Sequence, residues 1–387
     1  MTPRIHLAID NCFAFKRFTR PDDWAQVIAS FGLSYVEASA DTELDPLYTG
    51  APYLRDWVLR VREAEARHGV RVCNLYSGHG TYTTLGLTHT DPRVRERMIA
   101  EWFLPMLRTA GELGCGMGFF AHAFPHPSLQ DRALYDQQVA LLTRSLVQLN
   151  RHAGELGCGP LGIEQMYSPH QYPWRIGDTE DLLRQVTRLG GRDFWFTEDV
   201  GHHLSKFMRP TRDALASAGS RGVWLGTDRA FALADAKGPA AWDEICGEMD
   251  GNPQLFSTAR DGDCYAWLEA LGGYCPIVHL QQTDGRTSAH LPFTDEHNRR
   301  GRITGEGVLR ALQRGYQRSE QPGMPRRCED VFLTLEIFSG TASIMHDVLA
   351  DCRSSVEYWR RFVPRDGLEL AELTERLESE SGPRSAR

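Results

Sequence analysis

The sequence has no paired cysteines, no long apolar run and no surplus of positive charge. Its nine cysteines, at positions 12, 73, 115, 158, 246, 264, 275, 328 and 352, stand singly with no CxxC pair. Neither a disulfide framework nor a zinc knuckle is therefore expected, and we read them as reduced, mostly buried, small apolar residues. No segment approaches the roughly eighteen uninterrupted apolar residues of a membrane span. The opening MTPRIHLAID runs directly into a strand-like pattern with no charged-then-apolar leader. A soluble, cytoplasmic chain with no membrane partner is the expectation. Acidic residues outnumber basic ones by 51 to 43, a net charge of −8. That leaves no global positive field to grip a nucleic-acid backbone, which disfavours nucleic acid as a partner.

What remains is an ordinary globular composition, 41% hydrophobic and 24% charged over 387 residues, enough for one large core. Short apolar runs alternate with longer amphipathic stretches, the pattern of parallel strands joined by crossover helices. The strand candidates are eight: Ile5 to Asp10, Tyr35 to Glu37, Val70 to Tyr76, Met117 to His122, Leu161 to Gln165, Phe194 to Asp199, Ile277 to Gln282 and Val331 to Glu336. Helical spacing fills the gaps, for example over Leu54 to His68, Arg93 to Leu113 and Leu134 to Leu156. Thr179 marks a helix start, and Gly69, Gly114, Gly157 and Gly190 mark helix exits where a left-handed cap is wanted. Eight units of this kind predict an α/β fold, a closed (β/α)₈ barrel, as a single domain over residues 1–365. Residues 204–260 read as an insertion between the sixth and seventh strands, with helices expected to cover the barrel mouth. Residues 366–387 read as a C-terminal extension, a solvated helix running into a partly disordered tail.

Barrels of this class carry their active sites at the C-terminal ends of the strands. Polar residues end apolar runs there: Glu164 ends PLGIE, Asp199 ends FWFTED, His279 sits in PIVHLQQ and Glu336 ends VFLTLE. Any one alone reads equally well as a local hydrogen-bonding residue. Together, three acids in one barrel mouth would repel one another unless a cation neutralised them. Oxygen and imidazole donors of this mixture suit a divalent ion, Mn²⁺ foremost, with Mg²⁺, Co²⁺ or Zn²⁺ as alternatives.

The run Asp199-Val-Gly-His202, the His279-Leu-Gln-Gln strand, the Leu335-Glu336 strand end and Gly162-Ile-Glu164 resemble the xylose-isomerase-like TIM-barrel superfamily. That group includes tagatose and psicose 3-epimerases, inosose dehydratase and endonuclease IV. The resemblance implies that Glu164, Asp199, His279 and Glu336 are metal ligands and that Glu164 and Glu336 are also the acid/base pair. It implies that His202 hydrogen-bonds the substrate. The implied activity is that of a sugar or sugar-phosphate isomerase or epimerase. A proton is abstracted next to a carbonyl, and a cation stabilises the enediolate that develops. The segment HLQQTDG looks more like the branch acting on short ketose phosphates, the erythrulose-phosphate 3-epimerases.

Further candidates for the substrate are Asp10 and Asn11 after strand one, Glu37 after strand two, His79 after strand three and His122 at strand four. Asp284, Arg286 and His290 after strand seven, and the FSGTAS run after strand eight, are candidate holders of a phosphate. Each of these also reads as ordinary loop or turn chemistry. The competing functions are an endonuclease IV-like abasic-site nuclease, an inosose-type dehydratase and a non-catalytic sugar-binding barrel. The nuclease needs an Asp-x-His after strand seven, where this chain has Ser288-Ala-His290. Assembly as a homodimer or homotetramer is left open.

Overall fold

The computed structural model describes residues 2–78, 83–340 and 342–381. Eight parallel strands follow one another in space as they do in sequence: β1 (Arg4–Asp10), β2 (Tyr35–Ser39), β3 (Arg71–Tyr76), β4 (Gly116–Phe119), β5 (Leu161–Glu164), β6 (Trp195–Asp199), β7 (Ile277–Leu280) and β8 (Asp330–Leu335). Because β1 pairs with both β8 and β2, the sheet closes on itself. The fold is a (β/α)₈ TIM barrel.

Strand alternation decides what faces the barrel axis. On β1, Ile5, Leu7 and Ile9 join the apolar core, whereas the alternate residues His6 and Asp10 line cavities at the two ends of the barrel. The interior has small residues on β4. A Cβ on Gly116 would stand 2.7 Å from Asn74 Oδ1, and one on Gly118 would stand 3.1 Å from Asn74 Nδ2. The bare β4 backbone thus gives the Asn74 amide its space beside Glu37. At the N-terminal ends of the strands a cleft of about 1020 Å³ opens, rimmed by Arg4, Arg71 and Arg192 and floored by His6, Tyr35 and Phe332. It is the largest cavity described, yet it lies at the opposite end of the strands from the carboxylate cluster.

The helix after β5 spans Ile176–Gly190 and begins earlier than Thr179, whose hydroxyl turns back onto the Arg175 carbonyl at 3.0 Å. Its left-handed cap is Gly191 (φ 72°), not Gly190. Gly190 is small for another reason, since a Cβ there would meet the Asn150 amide at 2.8 Å. A helix not anticipated from spacing, Pro21–Ser30, packs against Pro46–His68. Residues 204–260 form helices Arg212–Ala218, Asp228–Lys237 and Trp242–Gly251. They attach beside the loops after β4 and β5, where Gln130 accepts from the Asp228 N–H and Arg175 donates to the Pro253 carbonyl. None of the residues lining the cavity at the C-terminal barrel mouth comes from this segment. The C-terminal extension adds a short β9 (Leu368–Glu369), antiparallel to β1, and the helix Leu370–Ser381. Leu370, Leu373, Thr374 and Leu377 of that helix are buried, so it is docked on one face rather than wholly solvated.

Candidate metal centre

The C-terminal ends of β5 to β8 deliver a compact cluster. Glu164, Asp199, His279 and Glu336 each present one ligand atom, all within 4.8 Å of one another, and all four residues are buried. Sheet register brings part of this about, because Asp199 and His279 are direct partners across β6 and β7. Nδ1 of His279 stands 3.1 Å from Oε1 of Glu164 and 3.3 Å from Oε2 of Glu336. Asp199 is oriented by the Gln281 amide, 2.9 Å from both its oxygens, and by the Gly201 N–H at 2.7 Å. The Tyr76 hydroxyl donates to Glu164.

The electrostatics are those of crowded acids. Burial pushes the Glu336 carboxyl well above its usual range, against the pull of His279 and with Asp199 and Glu164 adding to the rise. Asp10 is pushed up in the same way, by burial first and then by Glu37 and Glu336. Burial acts against a charged His279, but Glu336 and Glu37 outweigh it and hold its pKa high. Asp199 goes the other way: burial opposes its charge, yet His202, His290, His279 and the Gly201 N–H together keep its pKa low. Oε2 of Glu336 is buried and accepts no hydrogen bond, although His279 and His290 each lie 3.3 Å away. An orphaned carboxylate oxygen among three acids is the environment a divalent cation would relieve, and the oxygen and imidazole donors fit one.

A second trio, Asp199, His202 and His290, lies within the same mutual distance of 4.8 Å. His202 holds the Gln165 carbonyl at 2.9 Å through Nδ1, which turns Nε2 toward Asp199 at 3.4 Å. His290 adopts a left-handed backbone (φ 47°) that a side chain tolerates poorly. Its N–H is fixed to Gln281 Oε1 at 2.7 Å, and its Nε2 reaches to 3.6 Å from Asp199. Above the cluster is a cavity of about 180 Å³, lined by residues that include Asp10, Tyr76, Glu164, Tyr167, His202, His290, Glu336 and Phe338.

The remaining sequence candidates divide. Asp10 faces the cavity, with Oδ1 on the Cys12 N–H at 2.6 Å and Oδ2 without a partner. Asn11 is buried and accepts from the Ser39 N–H at 2.8 Å, tying the loop after β1 to β2. Glu37 lies deeper, between Asn74 (2.6 Å) and Nε2 of His279 (2.7 Å). His122 lines a separate cavity of about 400 Å³ with Trp102, Phe119 and Phe120. Asp284 and Arg286 have side chains 51% and 88% exposed and do not line the central cavity. His79 lies outside the described residues. In the FSGTAS run, Arg17 donates to Ser339 Oγ at 3.0 Å and to the Ser343 carbonyl at 3.3 Å, and Thr341 lies outside the described residues.

Sequence reasoning passed over Tyr76, Gln281 and Phe338. Strand alternation held a signal for two of them, because Tyr76 follows Asn74 and Gln281 follows His279 by two residues on the same face.

The profile of the xylose isomerase-like TIM barrel family matches residues 25–318, three quarters of the chain. The chain belongs to that family. Among curated relatives of this family member is the D-erythrulose 1-phosphate 3-epimerase of Brucella abortus, 22% identical over 303 residues, which cover 77% of this chain and 80% of that one. Among solved structures, a putative xylose isomerase of Rhodospirillum rubrum superposes with a TM-score of 0.63 at 18% identity, over 92% of this chain and 99% of its own. A D-psicose 3-epimerase of Clostridium cellulolyticum superposes with a TM-score of 0.50 at 12% identity, over 97% and 98%. These structural likenesses establish the fold. The family match makes the chain a xylose isomerase-like TIM barrel, and its described residues bring together a carboxylate and histidine cluster that could hold a metal ion. Among the described residues no helix is long and apolar enough to cross a membrane.

Proposed function

We propose that the protein is a divalent-metal-dependent isomerase or epimerase of a small ketose or ketose phosphate, with Glu164 and Glu336 as the proton-transfer pair. The observation that carries this reading is their placement. They rise from β5 and β8, strands that are not neighbours, and both line the one cavity above His279. Glu164, Asp199, His279 and Glu336 would hold the cation, Mn²⁺ first among the candidates, which would supply positive charge where an enediolate develops negative charge. One glutamate takes the proton from the carbon beside the carbonyl. If the other returns a proton to the same carbon from the opposite face, the centre inverts; delivery to the neighbouring carbon exchanges aldose and ketose.

The other cavity residues fit a polyhydroxylated substrate. The free Oδ2 of Asp10 is an acceptor for a sugar hydroxyl, and Nε2 of His202 and of His290 face the same space. Tyr76 holds Glu164 in line through its hydroxyl. The name of the Brucella relative supports a four-carbon ketose phosphate as the first substrate to try.

The test is deuterium incorporation. Protein reconstituted with Mn²⁺ is incubated in deuterium oxide with tetruloses, pentuloses and their phosphates. Deuterium at the carbon beside the carbonyl is expected. No exchange with any of them, together with nicking of abasic DNA, would replace this reading with the nuclease.

A further inference from the structure

We infer that Glu37 is a positioning residue that selects which nitrogen of His279 is offered to the cation. The inference rests on the metal-site reading proposed above. Glu37 and His279 are both fully buried, and Oε2 of Glu37 lies 2.7 Å from Nε2 of His279. The other oxygen, Oε1, accepts from the Asn74 amide at 2.6 Å. A carboxylate offers only acceptor sites, so Nε2 must carry a proton to meet it at this distance. In a neutral imidazole the lone pair then sits on Nδ1. In the structure Nδ1 meets Glu164 at 3.1 Å and lies 3.3 Å from Glu336, so without a cation it too carries a proton; a cation among these carboxylates would displace that proton and leave the one on Nε2 with Glu37. The opposite tautomer would set a lone pair against a carboxylate in a dry interior, leaving both unsatisfied.

Glu37 is a poor choice for mere scaffolding. It adds a fifth buried carboxylate to Asp10, Glu164, Asp199 and Glu336. A glutamine could accept one hydrogen bond from His279 without adding charge to that crowd. What the carboxylate adds is its charge: an anion on the far N–H fixes the ring and makes the ligating nitrogen more basic. Asn74 keeps the carboxylate in place from β3, and Gly116 and Gly118 leave room for its amide.

The experiment compares full-length, metal-stripped wild type and Glu37→Gln in Mn²⁺ titrations, reading the free ion by electron paramagnetic resonance. Mn²⁺ binding about 10- to 100-fold weaker is expected in the variant, measured at a temperature where circular dichroism shows both metal-free proteins folded. A purely structural Glu37 would lower the melting temperature and leave the Mn²⁺ affinity of the folded protein unchanged. Affinity within about twofold of wild type would overturn the inference and leave the metal site standing, since the expected loss is tenfold or more. A wild type that binds no Mn²⁺ would overturn both. Should Glu37→Gln fail to fold, Asn74→Ala carries the test. It frees one side of the carboxylate, so weaker Mn²⁺ binding is expected and wild-type affinity counts against the inference.

Discussion

The imidazole of His290 lies flat on the ring of Phe338, with planes 2° apart and centroids 3.9 Å apart. His290 sits in a left-handed backbone and its Nε2 faces Asp199 and Glu336, so this stack helps keep a strained residue aimed at the cluster. Phe338 is half exposed and contributes little to the core. Phe338→Ala is therefore expected to lower kcat/KM roughly three- to tenfold, matching about 0.5–1.5 kcal/mol for a ring pair. Thermal unfolding should move little. A large fall in melting temperature with unchanged kinetics would show that Phe338 serves the fold instead.

Glu164→Gln and Glu336→Gln should each reduce turnover by roughly 10²- to 10⁴-fold, the usual weight of a positioned acid or base. Circular dichroism should show an intact barrel for both. Melting curves in EDTA for both variants separate a loss of chemistry from a loss of fold. Near-wild-type turnover in either variant would refute the two-glutamate assignment.

The metal-free protein should lose stability as pH rises. Glu336 and Asp10 have folded pKa values above their usual 4.5 and 3.8, and His279 above its usual 6.5. Each of these groups holds its proton more tightly folded than unfolded. Its stabilisation is therefore complete below the usual value and is lost as pH climbs through the raised one. Asp199 and His290, with lowered pKa values, have the opposite sign; the Asp199 window lies below its usual 3.8, and His290 opposes the decline only below its usual 6.5. Melting curves in EDTA from pH 5 to pH 8 test this, and saturating Mn²⁺ should flatten the decline because the cation replaces the protons. A metal-induced rise in melting temperature that shrinks with pH would contradict it.

Gly116→Ala should destabilise the barrel by about 1–3 kcal/mol, the range for overpacking a filled interior. The new methyl would lie 2.7 Å from both the Asn74 amide oxygen and the Pro160 carbonyl oxygen, and the latter is backbone that cannot step aside. Urea denaturation measures the loss, and an unchanged midpoint would mean that β4 has slack.

Much of the site is legible in the sequence because a strand leaves a simple trace. Glu164, Asp199 and Glu336 each stand where an apolar run stops, and in a parallel barrel every such stop lies at the same rim. His279 is readable through its Gln-rich continuation, and the turn Asp199-Val-Gly-His202 is short enough that both ends must meet. Glu37 shows where this reasoning stops. Its apolar run breaks at residue 37, but β2 continues to Ser39. Two residues along a strand are roughly 6.6 Å, one layer of the barrel. Glu37 therefore lies beneath His279 and not at the rim. His122 is displaced the other way: β4 ends at Phe119, and the chain beyond it carries the imidazole to a side cavity.

The alternation of strands and helices, the order of the strands and the residue types at their upper ends can be read from the chain alone, because these depend on periodicity along it. That Nε2 of His279 belongs to Glu37, that Gln281 orients Asp199 and that His290 leans on Phe338 follows from the folded arrangement. Each of those contacts joins residues from different layers or loops, and their distances depend on sheet register, strand length and the side-chain volume missing at Gly116 and Gly118. None of these three is a periodic property of the chain.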